Sequence, residues 1–355
     1  MIFIKNIFNK KNKNKTIWYV GGKSGGHIIP LIGILRKNKA LFNHRSIFLT
    51  GKSKTDFTVI QNVKQEEIDC HIYLNLQNYP KNIFETIKYI PFLLFSILKT
   101  IYFFYKYSPN EIYTTGGYIA VIPSLFAKLF NVPIKLYHLD SILGRAGKFI
   151  NKYADEIYIF FDDVEKCLNK TDKIIKSENI PIRFSSKDLL EKNYAKQLLA
   201  ININKFVIFI LGGSQGSIQL NECFINALKK TSDKFRNKLF ILHQIGGEED
   251  INKINNIYKS LNIDVNIFNY EWHLEKFYNA SDLIISRAGS ICISEIIFFN
   301  KQAILIPLQG EADDHQVKNA EYFCKKYDFI NIIKDKENQK ITDSIINFLN
   351  NYNND

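Results

Sequence analysis

Short apolar runs recur along the chain, separated by stretches whose apolar positions follow helical spacing. The runs TIWYV (16–20), SIFLT (46–50), EIYTT (111–115), IKLYH (134–138) and EIYIF (156–160) read as buried strands. The pattern then restarts with KFVIFIL (205–211), LFILHQ (239–244), VNIF (265–268), DLIIS (282–286) and AILIP (303–307). Helices are expected from about residue 28, from about residue 220, and in the remaining gaps. Strand–helix alternation of this kind builds parallel sheets with crossover helices. The expected class is α/β: two doubly wound, Rossmann-like domains facing a central cleft, with ligands beyond the carboxyl ends of the strands. The boundary falls near 179–183, where NIPIR follows a polar stretch. This gives an N-terminal domain over 16–182, a C-terminal domain over 183–337, and a last helix within 338–355 expected to pack back across the first domain.

The segment 89–105, YIPFLLFSILKTIYFFY, departs from this alternation, with one charge, Lys99, and one proline, Pro91. A bilayer span needs about 20 apolar residues, and Lys88, Lys99 and Lys106 punctuate this one. A helix lying on a bilayer surface, lysines toward the head groups, accounts for it. A buried core helix is the alternative.

Composition narrows the partners. A net charge of +12 over 355 residues favours polyanions: nucleic acid, anionic lipid or phosphate-bearing substrates. The chain carries no nucleic-acid recognition motif, so no nucleic acid is expected. Cys70, Cys167, Cys223, Cys292 and Cys324 are scattered, odd in number and form no CxxC pair. That argues against a disulfide framework or zinc knuckle and fits a reducing cytosol. The extension MIFIKNIFNKKNKNK (1–15) has too short an apolar stretch for a signal peptide. It reads as a loose tail or a weak electrostatic tether.

Three glycine loops follow expected strands: Gly21-Gly22-Lys23-Ser24-Gly25-Gly26-His27, Thr115-Gly116-Gly117-Tyr118 and Gly212-Gly213-Ser214-Gln215-Gly216-Ser217. Glycines at a strand-to-helix junction let the backbone approach a phosphate, which the helix N-terminus favours. A P-loop would require glycine at position 17, where Ile17 stands. GxGxxG also fails in the first loop, and SIFLT runs into Gly51 and Lys52 rather than an acidic residue. Triphosphatase and nicotinamide or flavin oxidoreductase chemistry are thereby disfavoured.

Eight segments together carry a family likeness: GGKSGGHIIP, TGGYIAVIPSLFA, YHLDSILGRAGKF, NIPIR, GGSQGSIQLN, LHQIGG, SRAGSICISE and DDHQVKNA, in this order. The chain resembles glycosyltransferase family 28, of GT-B fold, and the likeness runs from about residue 16 to the last helix. The resemblance implies inverting transfer of N-acetylglucosamine from UDP-N-acetylglucosamine to an undecaprenyl-diphosphate-linked muramyl peptide, forming a β-1,4 bond in peptidoglycan synthesis. It implies no metal and no cofactor, and a cytoplasmic enzyme peripheral on the inner face of the membrane through a patch around 84–107. By resemblance His27 is the candidate catalytic base, with hydrogen bonding to a substrate as the alternative role. Gly25, Gly26, Gly116, Gly117 and Tyr118 resemble the acceptor-diphosphate loops, with His138 and Asp140 beside them. On the donor side stand Arg183, Gly213, Ser214, Arg287, Gly289, Ser290, Ile291 and Cys292. With them stand Glu295, matching a ribose-binding glutamate, Gln316, matching a sugar-binding glutamine, and Asn319.

Three departures fall within these motifs. The first loop, GGKSGGH, is one residue longer than the family's usual GGTGGH. HEQN becomes His138-Leu139-Asp140-Ser141, with Asp140 offering a carboxylate one position later. Ser290-Ile291-Cys292 replaces Ala-Leu-Thr, exchanging a hydroxyl for a thiol that hydrogen-bonds poorly. Glycosylation of another membrane lipid, such as diacylglycerol, and non-catalytic nucleotide-sugar binding are the competing expectations.

Overall fold

The computed structural model describes residues 15–63, 67–76, 82–168, 173–213, 216–247, 249–310 and 314–354. The N-terminal extension up to residue 14, Ser214 and Asp313 lie outside them. The chain divides into two compact units, Met1–Arg183 and Phe184–Asp355.

The first unit alternates β1 (Lys15–Val20), α1 (Gly25–Leu41), β2 (His44–Thr50), α2 (Lys54–Asn62), β3 (Cys70–Tyr73), α3 (Ile83–Tyr107), β4 (Glu111–Thr114), α4 (Val121–Leu129), β5 (Ile134–His138), α5 (Arg145–Asn151), β6 (Glu156–Ile159), α6 (Asp162–Glu165) and β7 (Ile174–Lys176). Its strands pair in parallel in the order β3-β2-β1-β4-β5-β6-β7. The central strand is apolar on both faces: Ile17, Trp18, Tyr19 and Val20 are fully buried. That is what a parallel sheet covered by helices on both sides requires.

The second unit runs α7 (Lys192–Leu198), β8 (Phe206–Leu211), α8 (Ile218–Lys229), α9 (Asp233–Arg236), β9 (Leu239–Gln244), α10 (Ile251–Ser260), β10 (Asp264–Phe268), α11 (Glu275–Ala280), β11 (Leu283–Ser286), α12 (Ser290–Phe298), β12 (Gln302–Leu305), α13 (His315–Lys326), β13 (Ile330–Ile332) and α14 (Asn338–Asn354). Its parallel order is β10-β9-β8-β11-β12-β13. The doubly wound α/β reading holds in both units. Strands β3, β7 and β13 were not anticipated. Each is an edge strand of three or four residues, too short for an apolar run to stand out.

Packing bears on the last helix and on segment 89–105. The last helix belongs to the second unit's core: Ile341, Ile345 and Leu349 of α14 join Leu220, Cys223 and Phe224 of α8. Each such aliphatic side chain contributes about 1.5–3 kcal/mol when buried, and the Thr342 hydroxyl adds a 3.4 Å bond to the Cys223 carbonyl. The core-helix alternative for 89–105 fails. On α3, Ser96 and Thr100 are fully buried, with Phe104 packed edge-on against Trp18 at 4.6 Å. Phe84, Ile87, Leu94, Phe95, Leu98, Ile101, Tyr102 and Tyr105 are exposed. Apart from the buried Phe104 and Tyr107, the helix is amphipathic in the wrong sense for water, with small polar residues inside and large apolar ones outside. It is long and apolar enough to cross a membrane, yet one face is committed to the sheet.

Candidate functional site

In the first unit, register places the loops before any side chain is considered. Val20 ends β1 beside Leu49 of β2 and Thr114 of β4. The chain therefore leaves the sheet at Gly21, Thr50 and Thr115 side by side, at the switch point where open parallel sheets bind ligands. The Thr114 hydroxyl donates to the Val20 carbonyl (2.8 Å) and the Thr115 hydroxyl to the His27 carbonyl (2.8 Å), joining the two glycine loops. A Cβ on Gly21 would meet Leu31 Cδ1 at 2.7 Å, and one on Gly22 would meet the Gly51 nitrogen at 2.8 Å. Side chains are excluded there by contact alone.

Helix α1 begins at Gly25 rather than near residue 28, so Gly25, Gly26 and His27 form its first turn. Amides in that turn have no earlier carbonyl within the helix to bond. His27 is half-buried, its Nδ1 enclosed without a hydrogen-bond partner. A Cβ on Gly117 would lie 3.8 Å from His27 Cδ2 and Nε2, so the ring edge faces the second glycine loop. Burial pulls the imidazole below its ordinary range; Asp140, the Thr115 backbone and Asp56 oppose this, and Lys23 adds to it. Burial thereby favours the neutral form of the ring.

His138 ends β5 and packs on α5, where a Cβ on Gly147 would meet its Cε1 at 3.0 Å. Burial holds its pKa at about 4 against the Asp140 charge, and its Nε2 is enclosed without a partner. Gly116 stands near Gly147, and the Tyr118 hydroxyl donates to the Leu76 carbonyl at 3.2 Å. The structure thus gathers His27, Gly25, Gly26, Gly116, Gly117, Tyr118, His138 and Asp140 around one switch point.

Asp56 was missed by sequence reasoning. Its buried carboxylate accepts the Lys23 amide at 2.7 Å and the Ser53 amide at 3.4 Å. It fits there because Gly22 and Gly51 lack side chains: a Cβ on either would stand 3.2 or 2.6 Å from its Oδ2. Burial raises its pKa, with the hydrogen bonds from Lys23, Ser53 and Gly51 opposing. A signal existed in Ser53-Lys54-Thr55-Asp56, a capping box at the start of α2.

The second unit repeats the geometry. Leu211 ends β8 beside Gln244 and Ser286, and Ser286 lies beside Leu305. Gly213 and Gly216 adopt φ of +85° and +78°, which favour glycine. Gly216 also has no room for a Cβ, which would stand 2.4 Å from the Ile245 carbonyl oxygen, whereas the space over Gly213 is open. Ser214 lies outside the described residues. Arg287, buried just after β11, donates to Ser217 Oγ, Gln219 Oε1 (2.8 Å) and the Ile306 carbonyl (3.1 Å). The guanidinium thereby ties together the loops after β8, β11 and β12, and burial lowers its pKa.

Gly289 precedes α12, with open space where its Cβ would be; Ser290 and Ile291 are buried and Cys292 is half-buried in the first turn. One turn further, the buried Glu295 accepts the Tyr278 hydroxyl at 2.9 Å. Gln316 Oε1 accepts the Leu308 amide at 3.0 Å, holding α13 to the segment after β12, and Asn319 is fully buried on the same helix. Arg183 is buried at the end of the first unit, where its carbonyl accepts Arg36 Nη1 at 2.7 Å. The expected donor residues are thus shared between the two units.

Residues 17–159 match the glycosyltransferase family 28 N-terminal domain, and residues 207–354 the glycosyltransferase family 28 C-terminal domain. A UDP-N-acetylglucosamine--N-acetylmuramyl-(pentapeptide) pyrophosphoryl-undecaprenol N-acetylglucosamine transferase from Pelagibacter ubique is 28% identical over 340 residues, covering 95% of this chain and 90% of that protein. The like-named protein of Borreliella afzelii is 32% identical over 318 residues, covering 87% and 81%. The crystal structure of Acinetobacter baumannii MurG is similar with a TM-score of 0.66 at 17% identity, across 94% of this chain and 91% of that one. At that identity the structural likeness is one of fold.

Proposed function

The chain belongs to glycosyltransferase family 28, and from that membership we propose that it transfers N-acetylglucosamine from UDP-N-acetylglucosamine to undecaprenyl-diphospho-N-acetylmuramyl-pentapeptide. The observation that carries this reading is sequence identity to transferases of that name running through both units.

In the proposed reaction the muramyl 4-hydroxyl oxygen attacks the anomeric carbon of the donor sugar. The bond from that carbon to the diphosphate breaks, its electron pair leaves on UDP, and the anomeric configuration inverts. His27, kept neutral by burial, takes the hydroxyl proton. Gly25, Gly26, Gly116, Gly117 and Tyr118 receive the acceptor diphosphate, with His138 and Asp140 behind them. Gly213, Gly289, Ser290, Ile291 and Cys292 offer backbone to the donor diphosphate, whose charge the start of α12 favours, and Ser214 is assigned to the donor as well. Arg287 holds those loops in place. Glu295 accepts from the ribose hydroxyls, Gln316 contacts the sugar with Asn319 framing its turn, and Arg183 contacts the nucleotide.

The acceptor is a membrane lipid, and the outward face of α3 suits its surroundings. Leu94, Phe95, Leu98 and Ile101 would enter the interface, with Lys88 and Lys106 toward head groups. The enzyme is then cytoplasmic and peripheral on the inner face of the membrane. Leu125 and Leu129 of α4 are further exposed apolar residues on the same unit.

The test is transfer of radiolabelled sugar from UDP-N-acetylglucosamine to a short-chain acceptor analogue, with a His27→Ala control. Turnover that the substitution abolishes is the expected result. UDP-sugar binding without transfer to that analogue, but with transfer to diacylglycerol, would replace the acceptor assigned here.

A further inference from the structure

We propose that Lys23, in the first glycine loop, binds the diphosphate linkage of the lipid acceptor through its side chain. This rests on the acceptor assignment above and adds to it a residue outside the glycine pairs. Lys23 adopts φ of +82°, a left-handed conformation that costs a non-glycine residue about 1–2 kcal/mol. Glycine would occupy the position without strain, yet a long cationic side chain stands there. The strain is held from below: the buried Asp56 carboxylate takes the Lys23 amide at 2.7 Å, so the loop presents the side chain in a set direction.

That direction is toward the second glycine loop. Lys23 is exposed, and its ammonium lies over the Tyr118 ring at 5.8 Å from the centroid. Tyr118 immediately follows Gly116 and Gly117, whose backbones adopt φ of +85° and +78°. A Cβ on Gly117 would lie 3.9 Å from the Gly22 carbonyl oxygen, so Lys23 leaves the chain where the two loops meet. Further cation density lies on the same end of the sheet: Lys99 of α3 donates to the Tyr73 carbonyl at 2.5 Å and feels the charge of Lys52. A doubly phosphorylated linker set on the glycine amides would find Lys23 at its edge. The diphosphate is remote from the bond being formed, so the contact serves binding rather than the chemical step.

The test compares the full chain with Lys23→Gly and Lys23→Arg. Lys23→Gly should raise the KM for the lipid acceptor about tenfold, the scale of one charged hydrogen bond, leaving the KM for UDP-N-acetylglucosamine unchanged. Its Tm should not fall, because glycine suits this backbone, and Lys23→Arg should stay near the parent. In parallel, a short polyprenyl diphosphate in neutral detergent should bind Lys23→Gly about tenfold more weakly, while binding to phosphatidylglycerol vesicles is unaffected. Equal binding of polyprenyl diphosphate by parent and variant, including none by either, overturns the proposal. So does a loss confined to the vesicles, which assigns Lys23 to lipid head groups. A diphosphate-binding difference in a chain that transfers no sugar upholds Lys23 and removes the acceptor assignment instead.

Discussion

The Arg287 guanidinium donates twice to the Ser217 hydroxyl, from Nε at 2.9 Å and from Nη2 at 2.7 Å. Ser217 in turn starts α8 by accepting the Leu220 amide at 3.4 Å. A residue that the motif offers to the donor is thereby bound to the glycine loop after β8. Lysine would keep the charge but lose the planar fork that meets Ser217, Gln219 and the Ile306 carbonyl together. Arg287→Lys is expected to lower the unfolding free energy by about 2–4 kcal/mol, as for breaking a buried polar network, and to weaken UDP binding. Urea unfolding and UDP titration check this. Unchanged stability with lost UDP binding would mean that the guanidinium acts on the ligand directly.

Glu295 has one carboxylate oxygen engaged by Tyr278 at 2.9 Å. Glu295→Gln keeps an oxygen for that bond but loses the charge that strengthens bonds to ribose hydroxyls. UDP-N-acetylglucosamine should bind about tenfold more weakly, and preference over the 2′-deoxyribose analogue should narrow. Titration with both nucleotides decides it; an undiminished preference would remove Glu295 from the ribose.

Acid should unfold the chain through its enclosed histidines. Burial lowers His138 to about 4 and His243 to about 3, from 6.5. Below 6.5 the unfolded chain takes up protons that the folded chain refuses. Stability therefore falls as pH drops from about 6.5 toward 4, by about 3 kcal/mol for His138 alone. Urea unfolding at about pH 7 and about pH 4.5 measures the loss, and His138→Leu should reduce it by about one proton's share. An equal pH dependence in parent and variant would contradict the assignment.

The outward face of α3 can be tested without touching the core. Leu98 is 65% exposed, so Leu98→Glu should change stability by no more than about 0.5 kcal/mol. Partition onto acidic vesicles should fall about tenfold or more, because one inserted leucine contributes about 1.5–3 kcal/mol. Sedimentation with vesicles at several salt concentrations is the measurement. Unaltered partition would place the membrane contact elsewhere.

Much of the fold was legible because strand and helix periods are local. Apolar runs such as 16–20 and 205–211 mark strands buried on both faces, and both became central strands of their sheets. The glycine loops were legible for the same reason, since each follows such a run directly. The boundaries of α1 were less so: Gly25 and Gly26 look like loop and are helical, because glycine disfavours a helix only weakly where a first turn is held by its neighbours. Segment 89–105 was legible as a helix but not for which face turns outward, since its apolar residues surround much of the axis.

The sequence by itself determined the class of fold, the positions of the glycine loops and the family, all carried by residues close together in the chain. Tertiary structure decided which distant residues hold those loops. Asp56 lies 33 positions from Lys23, and Arg287 lies 70 from Ser217, so neither pairing has a local signature. Each arises because a crossover helix returns the chain to a neighbouring parallel strand, bringing loop ends together that share no sequence pattern. The same physics turned α14 into the second unit's core and left α3 with its apolar face outward. Burial is settled by which surfaces meet, and a one-dimensional pattern specifies a face without specifying its partner.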